Sequence, residues 1–292
     1  TMNPARNMGW LIAATPLIFV ISWSTGNIFT KLGLPHAEPF TFLAIRFALA
    51  TLLLAVIALV FRAPWPSSPR VVGHILVAGS LVYTVYLCAV FVAIDQGVST
   101  GTAALISGLQ PILTACVVGR ILGEMVTLRQ WIGLALGLVG VTLVVWRKLA
   151  IDEGTEFGMA FATLAMLGLT LGTIYQKRFC ADMDLKSGTA IQLAGSAVAA
   201  LVLAVFFETR EVAWTSEFVF ALSWLIVVLT VGAYMLLFYL LAIGAASKVA
   251  SLFYLTPPTT AVMGYFVFNE TFGVLALIGM AVAVVGYMMA VK

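Results

Sequence analysis

Residues 105–124 read LISGLQPILTACVVGRILGE, and residues 251–270 read SLFYLTPPTTAVMGYFVFNE. Pro111 matches Pro257 and Glu124 matches Glu270 at one separation, 146 residues. The same offset pairs Gly133 with Gly279, Gly140 with Gly286, Gly26 with Gly172 and Lys31 with Lys177. The chain has 292 residues, twice 146, so it reads as one unit written twice, residues 1–148 and residues 149–292. Aligning Gly97 with Gly244 requires a one-residue gap. An internal repeat of this length dictates the architecture, because each copy must fold in the same way.

What kind of fold is repeated follows from composition. Hydrophobic residues make up 62% of the chain and charged residues 9%, with a mean hydropathy of +1.11. A soluble domain carries roughly 25% charge, so this inventory belongs in a lipid bilayer. The net charge is only +3 and its basic residues sit in predicted loops, which argues against a nucleic-acid partner. Cys88, Cys116 and Cys180 lie far apart without zinc spacing and read as packing residues, so no metal site is expected. Neither a GxxxxGK[ST] loop nor an HExxH motif occurs. ATP-driven transport and zinc-dependent intramembrane hydrolysis therefore lose their usual signatures, and no cofactor is implied.

A spanning helix needs about 20 mostly apolar residues. Ten segments qualify: 9–30, 39–61, 71–94, 97–119 and 130–146 in the first half, then 157–176, 187–207, 218–247, 249–269 and 271–291 in the second. The first lacks a small-residue cleavage site and reads as a true span. With the N-terminus inside, Arg6, Arg62, Arg70, Arg120, Arg129, Lys177, Arg178, Lys186, Lys248 and Lys292 fall on the cytoplasmic side. Only Lys31, Arg147, Lys148 and Arg210 fall opposite, so both termini are expected in the cytoplasm. Five spans per half is an odd number, so the second copy enters from the other side. The expected fold is all-α and polytopic, ten transmembrane helices in two inverted five-helix repeats, an arrangement that secondary transporters use to hold a midplane site.

These residues carry a resemblance. The ALISGLQPILTACVVGRILGE fourth span, its echo in the ninth, WSTGNIFTK at the end of the first span and AIRF early in the second resemble the drug/metabolite transporter superfamily. More narrowly they are similar to the EamA-type exporters and, within these, to the YddG-type exporters of aromatic and other amino acids. The resemblance covers the whole chain. It implies a bacterial inner-membrane carrier that exports amino acids by alternating access, with the lipid bilayer and a small-molecule substrate as its partners and no obligate protein partner. Exporters of other metabolites or drugs, with or without proton coupling, share the same pattern. The second copy departs at Asn269, which replaces the glycine before Glu270, and at Gln192, which stands where Arg46 stands in the first.

The candidate site follows from residue type and helical spacing. Pro111 and Pro257 sit inside apolar spans, where proline removes a ladder hydrogen bond and clashes with the preceding turn, so each span should kink or open there. Ser107 and Gln110 flank the first kink and Tyr254 precedes the second. Trp23 and Asn27 share a face of the first span, Tyr83 and Tyr86 of the third, and Thr230, Tyr234 and Phe238 of the eighth. Together they suggest a cavity with aromatic walls and neutral polar groups, suited to a ligand part apolar and part polar. The alternative is that some belong to packing or to the interfacial aromatic belt, as Trp10, Trp65, Trp146 and Trp214 do.

Arg46 lies seven residues past Pro39, about 10 Å along the helix. A charge at that depth must face protein or water. It is read as structural, with pairing to a substrate carboxylate as the alternative. Glu124 and Glu270 end their spans and are expected to bond loop amides as structural anchors. No Asp or Glu lies at mid-depth, which favours uniport, with His74 or an interfacial acid as the remaining route to proton coupling. The glycine seams of the fifth and tenth spans either pack the halves together or form a dimer.

Overall fold

The computed structural model describes residues 4–98, 100–149, 156–268 and 273–291. Among these, the only β pairing is an isolated antiparallel bridge between Ala37 and Val212, and the rest is helix and turn. The helices are α1 (Pro4–Gly33), α2 (Pro39–Val60), α3 (Pro69–Asp95), α4 in two pieces (Thr100–Ser107 and Gln110–Leu122) and α5 (Leu128–Leu149). The second half gives α6 (Glu156–Phe179), α7 (Leu185–Phe207) and α8 (Ser216–Ile243). It closes with α9, again in pieces (Ala246–Ser251, a 3-10 turn Leu252–Leu255, then Thr256–Phe268), and α10 (Val274–Val291).

Nine helices among the described residues are long and apolar enough to cross a bilayer, and α9 is the tenth segment expected from sequence. Adding 146 to the two pieces of α4 reproduces the outer limits of α9, 246 and 268, and places the break of each beside its proline. Pro111 and Pro257 stand in the first turn after the break, where a missing N–H leaves no carbonyl orphaned.

Sequence did not disclose that α3 and α8 each contain a π-helical stretch, Ser80–Val85 and Leu225–Ala233. Shifting the first by 147 residues, the offset after the gap, gives 227–232, inside the second. A π turn inserts a residue and rotates everything beyond it, so side chains on either side of it can face one centre.

Packing repeats the sequence symmetry. α2 lies along α7, and α5 along α10; α3 packs on α6 as α1 packs on α8, and α4 packs on α6 as α1 packs on α9. The α5–α10 contact is the glycine seam. A Cβ at Gly133 would stand 2.6 Å from the amide nitrogen of Ala290, and one at Gly279 would stand 2.7 Å from the carbonyl oxygen of Gly140. No side chain fits there, so the seam joins the two halves of one chain. The bundle exterior carries exposed Leu52, Val56, Leu201, Phe206 and Val285, as a lipid-facing surface requires.

Each helix crosses once, so the connections sort into two faces. Residues 34–38, 96–98 and 208–215 share one, held by the Glu208 carboxylate, which accepts from the amides of Phe40 and Thr41, each at 2.6 Å. Glu38, Glu208, Glu211 and Glu217 make this the acidic face. Residues 61–68, 123–127, 180–184 and 244–245 share the other, where the Ser187 hydroxyl donates to the Pro64 carbonyl at 2.6 Å. Arg62, Arg70, Arg120, Arg129, Lys177, Arg178, Lys186 and Lys248 make it the basic face.

Candidate functional site

The aromatic residues singled out on α1, α3 and α8 meet at the centre of the bundle. The Trp23 ring lies 4.8 Å from Tyr234 and 6.3 Å from Tyr86, the latter nearly parallel at 17°. Tyr83 lies 4.6 Å from Tyr234, and Phe238 is edge-on to Tyr83 at 6.3 Å. The π turn of α3 carries Tyr83, with Tyr86 just beyond it, and the π turn of α8 ends against Tyr234. Two further rings complete the wall: Phe253 sits 5.1 Å from Trp23 and 5.6 Å from Phe19. Phe19 precedes Trp23 by one helical turn, a spacing available in the sequence. Phe253 gave no such signal, because it lies in the 3-10 turn of α9.

Arg46 stands beside this cluster, 0% exposed. Its Nε donates to the Thr230 hydroxyl at 2.8 Å, and that hydroxyl in turn donates to the Leu225 carbonyl at 2.9 Å, bridging the π turn. The two terminal nitrogens of Arg46 have no hydrogen-bond partner among the described residues, nor do the buried hydroxyls of Tyr83 and Tyr234. The cavity that reaches Arg46 has Tyr86 and Tyr234 in its lining and, among the described residues, no carboxylate. A small cavity is lined by Trp23, Gly26, Thr30, Arg46, Tyr86 and Tyr234.

The remaining candidates do not all join this centre. Gln110 is buried at the break of α4, and its Nε2 has no partner among the described residues. Ser107, the last residue before that break, is exposed. Tyr254 is fully buried but belongs to a separate cluster with Leu134 and Ala290, its ring over Gly137 of α5. Pro111 is buried and Pro257 half-buried. The side chain of Asn27 and the whole of Glu270 lie outside the described residues.

Glu124 closes the basic face. Its carboxylate accepts from the amides of Ala246 at 2.9 Å and Ser247 at 3.4 Å, and pairs with Lys177 at 2.8 Å. Lys177 also donates to the Gly244 carbonyl and Arg178 to the Ile121 carbonyl, so the ends of α4, α6 and α8 and the start of α9 are tied into one latch. On the acidic face, a broad depression runs between residues 34–40 and 207–213.

A bundle of membrane-spanning helices around a small cavity lined by aromatic and polar groups defines a multi-pass membrane transporter. The chain belongs to the EamA-like transporter family, whose model matches residues 8–146 and again residues 156–292. It is similar to the uncharacterized transporter YvbV of Bacillus subtilis, 26% identical over 272 residues that cover 91% of this chain and 86% of that protein. The uncharacterized inner membrane transporter YedA of Escherichia coli is 23% identical over 278 residues, covering 94% of this chain and 88% of its own length. A probable amino-acid metabolite efflux pump of Salmonella typhimurium is 26% identical over 163 residues, 56% of this chain and 52% of that one. A crystal structure of another protein superposes with a TM-score of 0.79 at 18% identity, covering 94% of this chain and 95% of that chain, which shows a shared fold.

Proposed function

We propose that this transporter exports amino acids, neutral and aromatic ones among them, by alternating access and without a coupled ion, as the YddG-type exporters it resembles do. The observation that carries this reading is the central cavity, where Trp23, Tyr86 and Tyr234 supply apolar walls beside the polar groups of Thr30 and Arg46. A zwitterion with an apolar side chain suits such walls. A sugar phosphate would call for several basic groups, and the cavity offers one. The Salmonella relative, named as a probable amino-acid metabolite efflux pump, supports the same substrate class.

In this reading residues 1–148 and 149–292 are two oppositely oriented five-helix units that rock about the cavity. The basic face is cytoplasmic, following the excess of arginine and lysine there. The Glu124–Lys177 latch then holds the cytoplasmic side shut, and transport requires its release. The broken helices α4 and α9 supply the bends, because a helix already interrupted moves in pieces without losing further hydrogen bonds.

The mechanism needs no proton. No aspartate or glutamate among the described residues lines the cavity, so nothing there would load and unload a proton at physiological pH. The test is uptake of labelled phenylalanine, methionine or threonine by liposomes containing the purified protein. Flux is expected to follow the amino-acid gradient and to ignore an imposed pH gradient. Accumulation uphill on a pH gradient would replace uniport with proton coupling, and absence of flux for all three would remove the amino-acid assignment.

A further inference from the structure

The guanidinium of Arg46 is the one group at the centre whose bonding is incomplete in a way that specifies a ligand. It is wholly buried, only its Nε is satisfied, and its two terminal nitrogens face no acceptor among the described residues. A buried charge without a counter-charge carries a heavy desolvation penalty, and proteins retain one where a partner arrives from outside. The cavity reaches this residue, and the hydroxyls of two buried tyrosines of the same cluster, Tyr83 and Tyr234, also have no hydrogen-bond partner among the described residues.

The second half fills the same position with a neutral side chain. Gln192 stands 146 residues after Arg46 on the matching helix, is equally buried, and donates from Nε2 to Gln176 Oε1 at 2.7 Å. The counterpart of Gln176 in the first half is Thr30, 146 residues earlier, which lines the cavity but makes no bond to Arg46. One half thus holds a neutral amide pair that leaves only the Gln192 Oε1 unpaired, and the other holds a cation whose two terminal nitrogens have no partner among the described residues.

Resting on the amino-acid reading above, we propose that Arg46 binds the substrate carboxylate. Its two terminal nitrogens form a planar fork that matches the two oxygens of a carboxylate. The Tyr83 and Tyr234 hydroxyls donate to the same oxygens, and Thr230 fixes the fork by holding Nε. The substrate's ammonium meets no carboxylate in the cavity and rests on the aromatic faces of Trp23 and Tyr86, where a cation gains less than from an ion pair. Recognition is therefore asymmetric: the acid group is required and the amine is dispensable. The substrate class is monocarboxylates with a compact apolar body, amino acids included.

The experiment pairs two competitors with one substitution. In liposomes containing the wild-type protein, 3-phenylpropionate (no amine) is expected to inhibit phenylalanine flux, and 2-phenylethylamine (no acid) to inhibit at least about tenfold less well, the loss expected for a charge-assisted hydrogen-bonded pair. The opposite order would overturn the proposal. Arg46→Gln is expected to weaken phenylalanine transport at least about tenfold in apparent affinity and Arg46→Lys by an intermediate factor, since lysine keeps the charge but not the fork. Unchanged affinity in Arg46→Gln would also overturn it. Should that variant fail to fold, the competitor order on the wild type decides alone. If no amino acid is carried at all, the melting temperature of the detergent-purified protein separates the two claims. A rise with 3-phenylpropionate and none with 2-phenylethylamine keeps Arg46 as a carboxylate receptor while the export reading fails, and no rise with 3-phenylpropionate refutes the receptor.

Discussion

Positions 46 and 192 occupy the same place in two matching helices that pack against each other, yet one holds a cation with two free donors and the other a neutral amide bonded to Gln176. The frame is duplicated, and the pair at its centre is not. At the basic end Lys177 is tied to Glu124 at 2.8 Å. A two-fold bundle can be indifferent to which face is open. In the proposed mechanism the Glu124–Lys177 pair biases it, and the unequal pair at its centre selects the cargo.

The latch is the easier feature to break. Glu124→Gln keeps the shape of the side chain but removes the charge that Lys177 pairs with. Charge-assisted hydrogen bonds contribute about 1.5–3 kcal/mol, so the closed basic face should lose roughly a factor of ten in population or more. A cysteine placed at buried Thr114 should then react with a thiol reagent about tenfold faster from the basic face. An unchanged labelling rate would make the latch a mere anchor, the role expected for Glu124 from sequence.

The central contrast is sharpened by a smaller effect at its neutral member. Gln192→Ala strands the Gln176 amide oxygen in the interior, at a penalty of about 1–3 kcal/mol. The melting temperature should drop by about 2–8 °C, while the order in which 3-phenylpropionate and 2-phenylethylamine compete stays as in the wild type. A reversal of that order would mean that Gln192, not only Arg46, reads the substrate.

Much of this arrangement was legible in the chain. The 146-residue offset, the apolar spans and the glycine seams gave the frame, because length and composition alone decide which segments cross a bilayer. Helical spacing also brought Trp23, Tyr83, Tyr86, Tyr234 and Phe238 to one centre. The misreadings cluster where the helix period changes. The π turns lie in segments apolar on every side, such as LIVVLTVGA, so no periodicity betrays them. The 3-10 turn at Leu252–Leu255 advances three residues per turn rather than 3.6, which sends Phe253 toward Trp23 and Tyr254 toward Gly137. Ser107 was placed by its neighbourhood to Pro111; it ends the piece of α4 before the break and is exposed. The link from Arg46 to Thr230 spans 184 residues between helices of different halves, and nothing local encodes it.

The most direct measurement is counterflow. Liposomes bearing the purified protein are loaded with unlabelled phenylalanine, diluted into a trace of labelled phenylalanine, and followed with no ion gradient and no membrane potential. An alternating-access carrier predicts a transient accumulation of label above the outside concentration, absent from liposomes loaded with buffer alone. Label that merely equilibrates at the same rate whatever the internal amino acid would describe a channel and contradict the account.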